Sequence, residues 1–209
     1  MTNDTTTSLS DHLSRLVAAR VSRLQREYQR DESAAVADLA LLRRGVSQRP
    51  GQDVRLIGLT IAGVHPRPHE LPDEPTDAER AAYAAMTLFA VHQQSQRTRS
   101  MHRADHSFGR SSRLLGRRSH AMEAVRRRFT IAATASSWDE TLHHTRALIQ
   151  QFRANDVPLD YGAFARDLYW IQTPGSAERV RLSWGRDFYR VDRAEDDDTS
   201  ADDEADDEN

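Results

Sequence analysis

The chain has 209 residues, 38% of them hydrophobic and 29% charged, a length that suits one domain or two small ones with a sizeable buried core. It contains no cysteine, which excludes disulfides, thiolate zinc sites and a Cys nucleophile. Nothing approaches the run of about eighteen apolar residues that a membrane span needs. Residues 1–8 are polar and lack the basic and apolar regions of a signal peptide. The expectation is a soluble, cytoplasmic protein with a flexible N-terminus over residues 1–8.

The net charge of −3 conceals two opposed regions. All 29 cationic residues are arginine; lysine is absent. From Glu195 to Asn209 there are ten carboxylates and no cation. Without that segment, residues 1–194 hold 29 arginines against 22 acids. Between Arg97 and Arg128 alone lie ten arginines and two acids, Asp105 and Glu123. The reading is a basic body followed by a disordered acidic tail over residues 194–209.

In chain order, Leu9, Leu13, Leu16, Val17, Val21, Leu24 and Tyr28 place one apolar stripe on a first helix, with Ser8 and Asp11 spaced as a capping box. Val36, Leu39 and Leu42 mark a second helix over residues 33–44, with Gly45 as its stop. Residues 54–64 read as a strand or a short buried helix. No partner strand is evident, so helix is preferred. Prolines at 66, 68, 72 and 75 make residues 63–76 a connector. Thr76 and Glu79 form a capping box for a helix that is apolar almost all round through Ala81–Val91, as a central buried helix should be.

Gln93 to Phe108 is polar, basic and partly irregular. A short helix follows over 109–115, then one capped by Ser119 with the stripe Ala121, Val125, Phe129 and Ala132. Ser137 and Glu140 open a helix carrying Trp138, Leu142, Thr145, Ile149 and Phe152. Asp160 caps one carrying Tyr161, Phe164, Leu168 and Ile171, and Ser176 opens the last, with Val180, Trp184 and Phe188. The pattern predicts an all-α, two-part helical bundle of about eight helices without significant sheet. Its parts are an N-terminal helical part over 9–96, and a basic segment with a C-terminal bundle over 97–193.

The arginine run is the main functional signal. Arg126, Arg127 and Arg128 flank or oppose the stripe residues Val125 and Phe129, so their guanidinium forks face solvent, shaped to take phosphate oxygens two at a time. Arg110, Arg113 and Arg117 recur at helical spacing as a second row, with Arg118 beside them. Such a surface attracts a polyanion without reading its sequence. The plainer alternative is a solvated face paired with acids from remote helices. Neither zinc-finger spacing nor an aromatic base-stacking strand accompanies the run, so backbone contact is indicated and base-edge recognition is not.

Other chemistry finds little footing. His102 and His106 stand four apart, but Arg103 occupies the place of a metalloprotease general base. Glu140 and His143 have the spacing of a di-iron bundle ligand pair, without a second copy. Ser107, Ser111 and Ser112 near His106 form no triad, and no phosphate-binding glycine loop or nucleophile elbow occurs. Trp138, Trp170 and Trp184 lie on helix stripes and read as core. No catalytic residue, metal site, cofactor or small-molecule substrate is expected.

Several segments then stand in a characteristic order. They are Leu41-Leu42-Arg43-Arg44-Gly45, Phe89-Ala90-Val91-His92-Gln93-Gln94, Ser107-Phe108-Gly109-Arg110 and Arg126-Arg127-Arg128-Phe129. Then come His144-Thr145-Arg146-Ala147-Leu148-Ile149, Val157-Pro158-Leu159-Asp160-Tyr161 and Ala165-Arg166-Asp167-Leu168-Tyr169-Trp170. This order resembles the CasB family, the small subunit of the type I-E CRISPR Cascade complex, over about residues 9–190. The proline-rich connector and the acidic tail depart from the family pattern.

The resemblance implies a non-catalytic helical subunit of antiviral defence that sits with the other Cascade subunits and guide RNA and packs against a second copy of itself. It would hold the guide–target heteroduplex and the displaced non-target DNA strand through backbone contacts. Family basic positions fall on Arg44, Arg110 and the Arg126–Arg127 pair, and less directly on Arg117 and Arg118. Two other classes stay open at this point: a helical adaptor whose arginine face meets an acidic protein, and a metal-dependent helical enzyme using Glu140, His143 and His102. The tail is read either as a solubilising segment or as a competitor for the arginine surface.

Overall fold

A computed structural model describes residues 2–65, 71–173 and 175–190, with side chains from Leu9 onward. The expected acidic tail and the centre of the proline-rich connector lie outside the described residues. Among those described there are nine helices and no sheet. They are α1 (Thr2–Gln29), α2 (Ser33–Gly45), α3 (Val54–Thr60), α4 (Asp77–Gln93), α5 (Phe108–Arg118), α6 (Met122–Thr134), α7 (Trp138–Ala154), α8 (Tyr161–Gln172) and α9 (Ala177–Phe188).

The stripes turn inward as their spacing requires. Leu13, Val17, Val21, Leu24 and Tyr28 of α1 are buried, as are Val125, Phe129 and Ala132 of α6 and Val180, Trp184 and Phe188 of α9. Residues 54–60 are helical, and Asp53 caps them by accepting from the Arg55 amide at 3.1 Å. Every residue of α4 from Ala81 to Gln93 is buried, because α1, α2, α3, α7 and α8 all pack around it. Five helices surrounding one apolar rod remove that rod from water on every side, worth about 1.5–3 kcal/mol for each large apolar side chain.

The two expected parts, 9–96 and 97–193, share one core. The neighbours of α8 include α1 and α4 from the first part and α9 from the second, and the buried apolar cluster runs through both. The proline connector therefore divides the sequence without dividing the interior.

Several helix ends differ from their sequence signatures. The chain is already helical from Thr2, so Ser8 lies inside α1 rather than capping it. Gly45 is the last residue of α2, and its value is closeness: a Cβ there would sit 2.6 Å from Leu56 Cδ1 and 2.9 Å from the Tyr83 hydroxyl, which donates to the Gly45 carbonyl. Ser119 ends α5 and Ala121 precedes α6, because His120 takes a left-handed φ of 51° and breaks the chain between them. Ser137 accepts from the Glu140 amide at 3.2 Å, but the Glu140 carboxylate turns to Ser136 instead. Ser176 makes no side-chain cap. Thr76 with Glu79, and Asp160 with the Gly162 and Ala163 amides, cap as their sequences predict.

In the C-terminal half, Phe108, Phe164 and Trp184 gather at centroid distances of 4.6 to 6.5 Å. Trp184 is fully buried, whereas Trp138 and Trp170 are half-buried. The Trp184 indole donates to the half-buried Asp167 carboxylate at 2.7 Å, and burial pushes that carboxyl up to about 6. Gly109 permits α5 to lie on α9: a Cβ there would fall 2.0 Å from the Trp184 carbonyl oxygen.

Candidate nucleic-acid interface

The arginine run from Arg97 to Arg128 begins on a stretch that leaves helical geometry, residues 94–107. That stretch is pinned rather than loose. The Leu159 amide donates to Met101 at 2.9 Å, and buried Gln25 of α1 accepts from the His102 amide at 2.8 Å while donating back to its carbonyl at 3.3 Å. Satisfying both backbone groups of His102 with one amide side chain lets an irregular segment sit against the core without an orphaned donor.

Once folded, much of the run acquires partners. Arg97 pairs with Asp31 and Arg99 with Asp156, two aspartates in left-handed turns at the ends of α1 and α7. Arg126 grips Glu123 with both arms, at 2.9 and 3.0 Å, and Arg127 shares the same carboxylate at 3.5 Å. Arg128 reaches Gln151 at 3.5 Å. Arg118 donates to the Asn155 and Asp156 carbonyls, at 3.1 and 2.5 Å, and so closes the C-terminal end of α7. Arg110 donates to the Asp105 carbonyl at 2.9 Å, and Arg113 to the Arg190 carbonyl. Arg110, Arg113 and Arg117 do share a face of α5, and Arg117 is exposed. Arg99, Arg103 and Arg118 converge on a surface depression of about 660 Å³, with Asp156 as its carboxylate.

A second basic site lies where the sequence shows no density. Arg43 and Arg44 end α2, while Arg146 and Arg153 stand two turns apart on one face of α7. All four line a groove of about 450 Å³ over the C-terminal end of α4, at Val91 and Gln94, and no carboxylate lines it. Among the described residues none of the four is in an ion pair. Asp53, the carboxylate that feels Arg44, is itself bridged by Arg55 at 2.9 and 2.7 Å.

Two of the four groove arginines are oriented by neutral acceptors. Arg146 donates to Ser47 at 3.3 Å, and Arg153 to Gln94 at 2.9 Å and the Val91 carbonyl at 3.5 Å. Helix C-termini carry partial negative charge, which gathers cations at the ends of α2 and α4 without cancelling a full unit of it. In the sequence Arg44 stands out only through the family resemblance, and Arg43, Arg146 and Arg153 are not among the expected binding residues. The available signal was Arg146, Gln150 and Arg153 at i, i+4, i+7, a polar row beside the α7 stripe.

Groove and depression meet around the end of α7. Arg153 belongs to the first and Asp156 to the second, and the loop that follows α4 is tied to both, since Gln96 donates to the Arg153 carbonyl at 3.3 Å and Arg99 pairs with Asp156. The floor is rigid. His92, in the last turn of α4, is fully buried, and its Nδ1 meets the Tyr161 hydroxyl at 3.0 Å. Burial holds its pKa down at about 3, so it is neutral and adds no charge beneath the groove.

The residues weighed for other chemistry stay apart. His102 lies in an extended segment, which removes the helical spacing to His106. Its Nδ1 accepts from the Tyr161 amide at 3.2 Å. Glu140 is taken up by Ser136 at the start of α7, and Ser107 donates to Asp187 at 2.5 Å. Among the described residues no three potential ligands gather for a metal ion, and no helix is long and apolar enough to cross a membrane.

Fold and surface together define an all-helical protein whose arginines, though scattered along the chain, assemble into a groove and an adjoining depression. A profile of the family described as CRISPR-associated protein Cse2 matches residues 38–189. CasB from Thermobifida fusca is 33% identical, over 85% of this chain and 98% of that one, with a TM-score of 0.71. CasB from Thermus thermophilus is 19% identical, covering 84% and 97%, with a TM-score of 0.61, and that likeness bears on the fold alone. No curated protein matches. The chain belongs to the Cse2 family of CRISPR-associated proteins, which includes CasB, in agreement with the resemblance in its sequence.

Proposed function

We propose that this protein is a small, non-catalytic subunit of a type I-E Cascade complex that grips nucleic-acid backbone without regard to sequence. The groove carries the reading: Arg43, Arg44, Arg146 and Arg153 converge with no lining carboxylate. Guanidinium forks held by neutral acceptors keep their full charge and bind phosphate oxygens directly. The depression at Arg99, Arg103 and Arg118 continues the path, and Arg110, Arg113, Arg117 and Arg126–Arg128 offer a further face on α5 and α6.

Within the complex, base pairing with guide RNA reads the target, and this subunit holds the heteroduplex and the displaced DNA strand. Replacing one duplex by another of similar stability is nearly balanced, so modest retention of the displaced strand favours the open R-loop. A second copy and the other Cascade subunits complete the path, in the cytoplasm. The test is binding of the purified chain to single- and double-stranded DNA across a salt series. Neutralising about five phosphates gives a slope of log K against log salt near −3.5 on single strands. A flat response, or strong preference for one sequence, overturns the reading.

A further inference from the structure

The described chain ends at a defined place. Phe188, the last residue of α9, stacks on Phe129 of α6 with centroids 4.5 Å apart and planes 7° from parallel. Tyr189 then folds on Phe188 at 5.0 Å and approaches Arg126 with its hydroxyl. Arg113 of α5 holds the carbonyl of Arg190. The chain therefore departs from the surface that α5 and α6 share. Those two helices carry seven arginines and one carboxylate, Glu123. Beyond Arg190 the sequence runs to Asn209 and, from Glu195, supplies ten carboxylates with no cation.

We propose that the acidic segment Glu195–Asn209 docks on the α5–α6 face around Arg113, Arg126, Arg127 and Arg128 and competes there with nucleic acid. Charge complementarity admits either arginine-rich surface to an all-acidic segment, and proximity selects this one. At 3.3–3.6 Å per residue the segment has length enough to reach several surfaces, but a tethered ligand is most concentrated near its root, at about 1 mM for a short linker. That root lies on α6, whereas the groove of Arg43, Arg44, Arg146 and Arg153 is built on α2, α4 and α7. The consequence is selective screening: the α5–α6 face stays covered until a denser polyanion displaces the segment, while the groove stays open. The docking stands by itself; the competition rests on the function proposed above.

The absence of native cysteine makes the test direct. A nitroxide on Ala205→Cys of the full chain should broaden backbone amide signals of residues 110–128 at low salt. The broadening should vanish at high salt and in a chain whose carboxylates from 202 to 208 are replaced by amides. Broadening that is absent, spread evenly over the surface, or strongest at Arg43 and Arg146 overturns the docking. This readout uses no nucleic acid, so it answers even if the chain binds none. The second measurement compares single-stranded DNA binding of the full chain and of a chain truncated after Ala194. With a tethered concentration of about 1 mM and an intrinsic Kd of about 0.1 mM, truncation tightens binding about tenfold at low salt. It should do so much less once Arg126 and Arg127 are replaced by glutamine. Equal affinity of full and truncated chains overturns the competition.

Discussion

The groove over the end of α4 and the outer face of α5 and α6 are both arginine-rich, yet they hold their charge differently. In the groove, four arginines from two helices converge with no lining carboxylate, and two of them, Arg146 and Arg153, are held by serine, glutamine and carbonyl oxygens. On α6, Arg126 and Arg127 divide Glu123 between them. The face is dense in sequence and partly neutralised in space; the groove is dispersed in sequence and unneutralised. Density along a chain measures how many cations a segment carries. What a phosphate meets depends on which carboxylates the fold brings alongside, and at these distances one carboxylate cancels much of one guanidinium's attraction.

The largest expected effect comes from separating the two regions mechanically. Gly109→Ala places a Cβ on the Trp184 carbonyl and should push α5 from α9, costing about 3 kcal/mol of stability by denaturant unfolding. Hydrogen exchange should rise most in α5 and α6 and least in α2 and α4. A variant as stable as the parent would show that α5 has room to shift.

Next is a direct contest between the sites. Arg44→Glu with Arg146→Glu should weaken single-stranded DNA binding about thirtyfold and reduce the salt slope by about 1.4, two contacts' worth. Arg126→Glu with Arg127→Glu should do less, since their shared carboxylate already offsets part of their charge. The opposite ranking would assign the grip to α5 and α6.

A smaller effect concerns the groove floor. His92 has its folded pKa depressed to about 3, so the stability it contributes is present above its unfolded value near 6.5 and is lost as pH falls toward 3. Between pH 6.5 and 5 that loss is about 2 kcal/mol. Asp167 works in the other direction. Its folded pKa is raised to about 6, so its contribution is greatest below about 4 and is lost as pH rises through 6. His92→Gln should therefore flatten the fall in stability below pH 6.5 in thermal unfolding. Asp167→Asn should raise stability at pH 7 by about 1 kcal/mol, discounted because the group is only half-buried. An unchanged acid limb in His92→Gln would remove His92 as its cause.

The smallest change sharpens the comparison most. Glu123→Gln releases Arg126 and Arg127 and should tighten DNA binding of the tail-truncated chain by a factor of about 2 at low salt. No change would mean the α5–α6 face takes no part in binding.

How far the sequence could be followed depended on the range of the forces involved. The α4 rod was legible because a helix apolar on all sides has only one stable location. Thr76 and Asp160 were legible as caps because the bonds they make span two or three residues. Ser119 was not, since His120 entered a left-handed turn and moved the start of α6 past it. Gly45 was correctly placed at a helix end but for a different reason, the approach of Leu56 and Tyr83 from α3 and α4. Arg44 was legible as a basic position only through family likeness. Its companions Arg146 and Arg153 lie about a hundred residues away, and no local pattern announces that pairing.

Periodicity, capping and composition act within a few residues, so the helices, the faces they bury, the family and the excess of arginine are readable along the chain. Which arginines keep their charge emerges only when the helices pack. Ion pairs between remote segments, such as Arg97 with Asp31 and Arg99 with Asp156, depend on where helices cross, and Coulomb attraction between side chains is settled by distance in space.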